Sequence, residues 1–305
     1  MTDTDSLVCA EGILKTPLPA LDDEEGPRVP DGLPPIVDAH VHLFPDPLFA
    51  AIWRWFNTHG WPIRYPLKTP EVIEFLLSRG ISQIVALHYA HKPKMAAALN
   101  AYMQTLVRDH PQVVGLATVF PGEDDAPEIL NVAFDAGLAG VKLHCHVQAF
   151  AADSPTMDEI YALCVERDRP LLMHAGREPR SPAYPVDPWE LCAVDRVREV
   201  LRTHPRLRLV VPHLGADEFA DYAALTHQVD TLWLDTTMML AEYFGMEPDS
   251  PLDGLRADRI LYGTDFPSLP YAWDRELRWL RERSGLGDDA LAAVLGGNAR
   301  ALYAA

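Results

Sequence analysis

Two histidines one residue apart end the run IVDAHVH at residues 36–42. The apolar and β-branched residues of this run predict a β-strand. Alternate side chains of a strand point to the same side, so the side chains of His40 and His42 would lie together. Imidazole is a common ligand of divalent metals in proteins. This spacing therefore predicts one part of a metal site at the end of the first strand.

Three later apolar runs also end on residues that bind metals. LLMH ends at His174, VVPH ends at His213, and LYGTD ends at Asp265. Zinc, manganese and iron accept imidazole and carboxylate together, and a catalytic metal needs three or four such ligands with one position left open. We therefore predict that the metal ligands are His40, His42, His174 and Asp265.

His213 leaves two interpretations open. It stands one strand further along than His174, where it would bind a second metal or hydrogen-bond the reacting group. A single histidine at a strand end is usually a surface or core residue, and the chain has 12 histidines. The prediction of a metal site therefore depends on the joint pattern and not on any one of its members.

Lys142 and His144 lie two residues apart in the run GVKLH and so share one side of a predicted strand. A lysine inside a protein is costly unless it is paired or modified. Three roles for Lys142 are open: it holds a substrate carboxylate, it is carbamylated and bridges two metals, or it pairs with a buried acid such as Asp38. His144 is expected to contact substrate.

Further polar residues follow the second and fifth runs. His88, Tyr89 and His91 come after the second run, and Arg177 comes three residues after His174. The guanidinium of Arg177 suits bidentate recognition of a carboxylate, although a solvated loop charge is the alternative. The predicted substrate-binding residues are Lys142, His144, Arg177 and His88.

The elements that must position these residues alternate along the chain. Eight short apolar or β-branched runs occur at 36–42, 81–88, 113–120, 139–145, 170–175, 208–214, 232–237 and 260–265. Segments with helical spacing separate most of them, at 69–79, 95–109, 126–136, 157–167, 188–203 and 218–228, and another follows at 273–283. This alternation predicts an α/β fold, a single-domain (β/α)8 TIM barrel over residues 36–305, with a doubly wound sheet as the alternative.

Two segments do not follow the alternation. Residues 1–35 are rich in aspartate, glutamate and proline, and we expect an N-terminal arm that lies on the surface or is partly disordered. Residues 44–68 contain seven aromatic side chains. Long loops at the C-terminal face of a barrel tend to carry function, so this insertion is expected to be a helical lid or substrate wall, with core or dimer packing as the alternative.

The amino-acid composition limits the classes of molecule that this chain is expected to bind. The formal charge of −18 disfavours nucleic acid and anionic membrane surfaces. No apolar run approaches the roughly 20 residues that a membrane span needs. The N-terminus lacks the pattern of a secretory signal, and the four cysteines form no CxxC pair. These features predict a cytoplasmic protein that binds a small molecule, and exposed aromatics in the insertion would suit a homodimer.

A set of motifs resembles the amidohydrolase superfamily, and these motifs are IVDAHVH, KLH, LLMHAGR, VVPHLG, ILYGTDFP and GGNARALY. The closer likeness is to the branch that includes aminocarboxymuconate-semialdehyde decarboxylase, resorcylate-type decarboxylases and several lactone hydrolases. The resemblance implies a TIM barrel that binds one divalent metal, commonly zinc, through His40, His42, His174 and Asp265. It also implies that His213 acts near the metal-bound water. Some decarboxylases of this group have glutamate in place of the first histidine, whereas this chain has His40.

Two chemistries fit this site. The main prediction is a metal-dependent hydrolase of a small anionic substrate, a carboxylated compound or a cyclic ester or amide. Asp265 would orient or deprotonate a metal-activated water, and His213 would stabilise the oxyanion or act as an acid. The alternative is a metal-dependent, non-oxidative decarboxylase of an aromatic or unsaturated acid. A non-catalytic barrel is a remote third possibility. The metal is expected to be zinc, with manganese as the second choice.

Overall fold

The computed structural model describes residues 20–177, 183–184, 186–243 and 251–304. Residues 1–19 of the predicted N-terminal arm, with Cys9, lie outside the described residues. The remainder of the arm follows the surface of the main domain. The Trp273 indole donates a hydrogen bond to the Gly26 carbonyl at 3.0 Å, and Arg275 pairs with Asp23 at 2.8 Å.

Among the described residues, eight strands form two parallel sheets with the orders β1-β2-β3 and β4-β5-β6-β7-β8. The strands are short and almost entirely buried, as expected when helices cover a parallel sheet. Their bounds are β1 Ile36–His42, β2 Ile81–Leu87, β3 Val113–Gly115, β4 Val141–His144, β5 Leu171–His174, β6 Leu209–Val211, β7 Leu232–Asp235 and β8 Ile260–Leu261.

Backbone hydrogen bonds join the two sheets at both of their edges. On one side, the Lys142 amide donates to the Ala117 carbonyl at 2.7 Å, next to a parallel bridge between Ala117 and Val141. On the other side, the Ala39 amide donates to the Tyr262 carbonyl at 2.8 Å. The eight strands therefore follow one another around a ring, and the prediction of a TIM barrel is confirmed.

Seven of the eight strands end before the predicted runs do, and the third and the eighth differ most. The third run was expected to extend to residue 120 and the eighth to residue 265, but β3 has three residues and β8 has two. Beyond β8 the chain leaves the ladder, and Asp265 adopts a positive φ of 73°. The residues past the strand ends still keep contact with the barrel, because the Asp265 amide donates to the His40 carbonyl at 2.9 Å.

Helices cover the outside of the ring where the apolar positions recur at helical spacing. In α8, for example, Val194, Val197 and Leu201 are buried while the intervening charged residues face outward. The segment predicted as one helix at 188–203 is two helices that meet at Ala193.

In the described parts of the chain, no helix is long and apolar enough to cross a membrane. The helices are α1 Asp46–His59, α2 Thr69–Ser78, α3 Ala96–Asp109, α4 Ala126–Asp135, α5 Cys145–Gln148, α6 Asp158–Glu166, α7 Pro188–Cys192, α8 Val194–Thr203, α9 Phe219–Thr226, α10 Arg275–Arg283, α11 Asp288–Ala292 and α12 Asn298–Tyr303.

Candidate metal centre

Three of the four predicted metal ligands meet where β1 ends beside the chain that follows β8. His42 Nε2 lies 2.9 Å from Asp265 Oδ1, and His40 Nε2 lies 3.5 Å from the same oxygen. One ligand atom from each of the three residues lies within 4.8 Å of the others, and all three side chains are buried. Two imidazoles and one carboxylate at this spacing fit the donor set of a divalent cation.

His174 lies beside this group, at the end of β5. Its ring centroid is 4.6 Å from that of His213, whose ring is in turn 5.9 Å from His40. The structure therefore brings all four predicted ligands to the same end of the barrel, with His174 outside the three-residue cluster. Its role as the fourth ligand stays a prediction.

The hydrogen bonding of His40 suits a metal ligand. Its Nδ1 atom lies 2.8 Å from Asp235 Oδ2, and since a carboxylate accepts hydrogen bonds, the proton is on Nδ1. The lone pair is then on Nε2, which is buried and has no hydrogen-bond partner among the described residues. Burial, with the neighbouring charge of Lys142, lowers the pKa of His40 well below its ordinary value. A neutral imidazole held by a carboxylate is a common arrangement around protein-bound metals.

Asp265 stays ionised in this setting. Burial acts to raise the pKa of its carboxyl group, but the hydrogen bond and charge of His42, together with His40, lower that pKa to about 2. An ionised carboxylate is the form that binds a cation.

Asp38 joins β1 to the segment after β8 that carries Asp265. Its carboxylate accepts the Thr264 hydroxyl at 2.7 Å, the Thr264 amide at 3.1 Å and the His40 amide at 3.2 Å. Burial raises the pKa of Asp38 to about 7, against these hydrogen bonds. Gly263 allows the same close approach, because a Cβ atom there would lie 2.7 Å from the Cβ of His40.

Lys142 is fully buried in β4, as expected for the inside of the barrel. Its pairing with a buried acid such as Asp38 stays a prediction, and the described hydrogen bonds of Asp38 come from Thr264 and His40. The positive charge of Lys142 lowers the pKa of both His40 and Asp235. Its predicted contact with substrate, and its carbamylation, stay untested.

His213 is held from β7 by two hydrogen bonds. Its amide donates to Asp235 Oδ1 at 3.2 Å, and its Nδ1 atom lies 2.9 Å from the Thr237 carbonyl oxygen. A carbonyl only accepts, so Nδ1 carries the proton and Nε2 is the atom at which His213 exchanges one. The backbone of His213 has a φ of +55°, a region that non-glycine residues seldom adopt away from functional sites.

Asp235 was not among the predicted site residues, although a signal for it was present. The run LWLD ends on an acid, as the eighth run does, and the structure places this acid against His40 and His213. Burial raises the pKa of Asp235, while the charges of His213 and Lys142 and the hydrogen bond from Thr237 oppose that effect.

A cavity of about 390 Å³ opens beside the cluster at the same end of the barrel. Helix α1, in the predicted insertion, supplies one wall, which includes Trp55 and Phe56. Phe44 and Tyr89 join the cavity to the cluster, because each ring centroid lies 5.9 Å from that of His42. The described lining residues are Phe44, Leu48, Ala51, Ile52, Trp55, Phe56, Tyr89, His91, His144, His146, Val147, Ala183 and Tyr184.

One of the four predicted substrate-binding residues, His144, lines this cavity, where it stacks on His174 with a centroid separation of 4.0 Å. His146, on α5, also lines it and was missed, although it repeats the spacing of His40 and His42 in the run HCH. Among the described residues, neither His88 nor Arg177 is part of the lining.

His88 and Arg177 have partners within the protein. The His88 ring is buried and lies 3.2 Å from the Asn100 side-chain oxygen, and burial lowers its pKa to about 4. Arg177 lies 3.3 Å from Glu218 and 3.5 Å from Asp217. The Arg177 charge therefore faces two carboxylates, and the predicted contacts of His88 and Arg177 with substrate stay predictions.

Comparison with known proteins gives the context of this site. A family model described as Amidohydrolase matches residues 37–305. A search of curated proteins found no match. Similar solved structures include 2,6-dihydroxybenzoate decarboxylase complexed with 2,6-dihydroxybenzoate, which has a TM-score of 0.63 and 15% identity over 90% of this chain and 100% of that one.

Two further solved structures show the same fold at similar distance. The 5-carboxyvanillate decarboxylase of Novosphingobium aromaticivorans, complexed with manganese and a nitrobenzoic acid, has a TM-score of 0.62 and 15% identity, covering 93% of this chain and 99% of that one. The 4-oxalomesaconate hydratase of Rhodopseudomonas palustris has a TM-score of 0.60 and 17% identity, covering 88% of this chain and 95% of that one. At these identities, the likeness shows a shared fold.

Proposed function

This chain belongs to the amidohydrolase family, and on that premise we propose that it is a metal-dependent carboxy-lyase that removes carbon dioxide from a small aromatic or unsaturated acid without oxidation. Decarboxylation, the alternative prediction from the sequence, thus replaces hydrolysis as the main hypothesis. Two of the three similar structures described above are decarboxylases of aromatic acids, which supports the change.

The observation that carries the proposal is an aromatic cavity next to the candidate metal centre. Phe44 stacks on His42 with an interplanar angle of 12°, and Tyr89 meets the same ring edge-on. Tyr89 also meets His144 with a centroid separation of 5.0 Å. Walls of this kind suit a flat carbon framework, because aromatic rings prefer stacked or edge-to-face contacts.

The metal would be held by His40, His42 and Asp265, with His174 as the proposed fourth ligand. Manganese and zinc both accept this mixture of imidazole and carboxylate, so the donor set does not choose between them. When bound, the cation supplies a Lewis acid towards a carboxylate or hydroxyl oxygen of the substrate.

The protein must supply one proton for each carbon dioxide released. The bond between the ring carbon and the carboxyl carbon breaks, its electron pair stays on the ring carbon, and a proton forms the new C–H bond there. We assign that proton to Nε2 of His213 in its doubly protonated imidazolium form, because Nδ1 keeps its own proton on the Thr237 carbonyl, and water returns a proton to Nε2 after each turnover. Asp265, with a pKa of about 2, is a ligand and not the proton donor in this scheme. His144 and His146 would contact the substrate from the cavity wall.

Hydrolysis remains the second candidate, because the family model is described as Amidohydrolase and the same ligands suit a metal-activated water. In that reaction, Asp265 would accept a proton and His213 would act on the oxyanion.

Product analysis on one enzyme preparation separates the two candidates. Protein loaded with Mn²⁺ or Zn²⁺ is incubated with hydroxybenzoates, 5-carboxyvanillate, unsaturated dicarboxylic acids and a panel of lactones. We expect carbon dioxide release from an acid, its loss in His213→Asn, and its retention in the matched surface variant His227→Asn. Ring opening of a lactone without release of carbon dioxide from any acid would favour hydrolysis and contradict the proposal.

A further inference from the structure

Asp235, the last residue of β7, contacts two residues of the candidate site through its two carboxylate oxygens. Oδ2 lies 2.8 Å from His40 Nδ1. Oδ1 accepts the backbone amides of His213 and Thr237, each at 3.2 Å. We infer that Asp235 is a positioning residue that keeps the proton of His40 on Nδ1 and anchors the backbone of His213. The inference deepens the proposed function, on which its relevance to catalysis rests.

The first half of the inference concerns the ring of His40. With the proton on Nδ1, the lone pair of Nε2 faces Asp265 Oδ1 at 3.5 Å, within the predicted ligand cluster. If the proton moved to Nε2, this atom would be a donor and could not bind a cation. Asp235 is fully buried, so water does not compete for its contact with His40. The tautomer of His40 therefore depends on an acceptor at residue 235.

The second half concerns the backbone of His213. Both of its described hydrogen bonds lead to the end of β7, one to the Asp235 carboxylate and one to the Thr237 carbonyl. The φ of +55° at His213 is unfavourable for a residue with a Cβ atom and persists only where the surroundings enforce it. Without the Asp235 oxygen, the buried amide of His213 loses its acceptor, and the backbone that carries the ring loses one of the contacts that fix its position.

Only a carboxylate satisfies both contacts. Oδ1 faces two N–H donors and Oδ2 faces a third, so both atoms must accept. An asparagine has one accepting atom. If its oxygen faces the two backbone amides, its NH₂ group faces His40 and forces the proton of His40 to Nε2. If it is turned over, its NH₂ group meets two N–H donors. Asp235→Asn therefore disturbs either His40 or His213, although its shape is nearly unchanged.

The test uses the full-length protein, Zn²⁺ alone as the probe, and two matched variants. Asp235→Asn and Asp38→Asn each replace a fully buried carboxylate near His40, but Asp38 contacts its backbone amide and not its ring. Calorimetric titration measures Zn²⁺ affinity. Long-range ¹H–¹⁵N correlation spectra of histidine-labelled protein report the tautomer of His40, with His40→Gln as the assignment control.

We expect Asp235→Asn to bind Zn²⁺ roughly 10- to 100-fold more weakly, the effect of losing an outer-shell partner. In metal-free protein at alkaline pH, we expect the wild type and Asp38→Asn to keep the proton of His40 on Nδ1, and Asp235→Asn to lose this state or to shift the His213 signals. Unchanged affinity and unchanged spectra in Asp235→Asn would overturn the inference. If Asp235→Asn does not fold, the wild-type spectrum still tests the inference. A proton on Nε2 of His40 in the wild type would overturn it, whereas a proton on Nδ1 would support it.

These measurements need no substrate. A failure to find decarboxylation with an intact Zn²⁺ site would count against the proposed function alone. A normal tautomer and affinity in Asp235→Asn would count against the positioning role alone.

Discussion

The two sides of the candidate site are held together by different forces. On the side of β1, β7 and β8, buried carboxylates bind His40, His213 and Thr264 through hydrogen bonds of 2.7 to 3.2 Å. On the side of β4, β5 and α1, the described side chains include a series of ring contacts, such as the stack of His144 on His174 and the contact of Trp55 with Tyr184 at 5.8 Å. Hydrogen bonds fix direction, whereas ring packing selects shape. The first side is therefore suited to hold a metal and a proton donor, and the second to select the substrate.

Removal of a ligand on the hydrogen-bonded side should have the largest effect. We expect His42→Ala to lose more metal affinity than the roughly 10- to 100-fold that accompanies loss of an outer-shell partner, because a ligand atom itself is removed. Metal analysis of the purified variant after dialysis measures this, with His227→Ala as the surface control. A normal metal content in His42→Ala would remove His42 from the centre.

Chelation should lower the stability of the whole protein. A ligand present at 100 times its Kd stabilises the folded state by about 2.7 kcal/mol, provided that it does not bind the unfolded chain. We expect EDTA to lower the Tm of the wild type and to leave the Tm of His42→Ala unchanged. The scanning experiment is done at several metal concentrations, and a Tm that does not depend on metal in the wild type would contradict a bound cation.

His88 should act through stability and not through substrate. The pKa of His88 in the folded protein is about 4, below the ordinary value of 6.5. The folded protein therefore keeps its full stability above pH 6.5. It loses stability as the pH falls from 6.5 towards 4, because the unfolded chain binds the proton more tightly. Between pH 7 and pH 5, the wild type should lose roughly 2 kcal/mol of unfolding free energy more than His88→Gln, which has no imidazole to protonate. Urea denaturation at the two pH values measures the difference. A large rise in KM for His88→Gln would instead restore its predicted contact with substrate.

The smallest effect should come from the ring side. We expect Trp55→Ala to raise KM by up to about 10-fold with little change in kcat, because one aromatic contact contributes roughly 0.5 to 1.5 kcal/mol. Trp279→Ala, on α10 and outside the described cavity lining, is the matched control. Equal kinetics in Trp55→Ala and the wild type would show that α1 is not a substrate wall.

The sequence predicts the hydrogen-bonded side better than the ring side. His40, His42 and Asp265 could be found because parallel strands in a barrel deliver their last residues, and the residues that follow them, to one face. The ion pairs of Arg177 could not be predicted in the same way. Its partner Glu218 lies in another loop, and nothing in the local run HAGR indicates that a carboxylate would meet the guanidinium there.

Asp235 shows a limit of another kind. Its strand-end position was visible, but its function depends on which oxygen faces which donor, and that is set by where the His40 ring and the His213 amide lie relative to the end of β7. The cavity wall is similar. The aromatic content of residues 44–68 indicated a wall, but the choice of Trp55 over Trp53 as a lining residue follows from the rotation of α1 on the barrel.

Anomalous diffraction from crystals loaded with Mn²⁺, recorded at the manganese edge, tests the metal centre most directly. We predict a single strong peak about 2.0 to 2.3 Å from Nε2 of His40, Nε2 of His42 and a carboxylate oxygen of Asp265, the distances usual for nitrogen and oxygen ligands of such cations. A peak bound elsewhere on the protein, or no peak at this position in metal-loaded crystals, would contradict the assignment of these three residues as ligands.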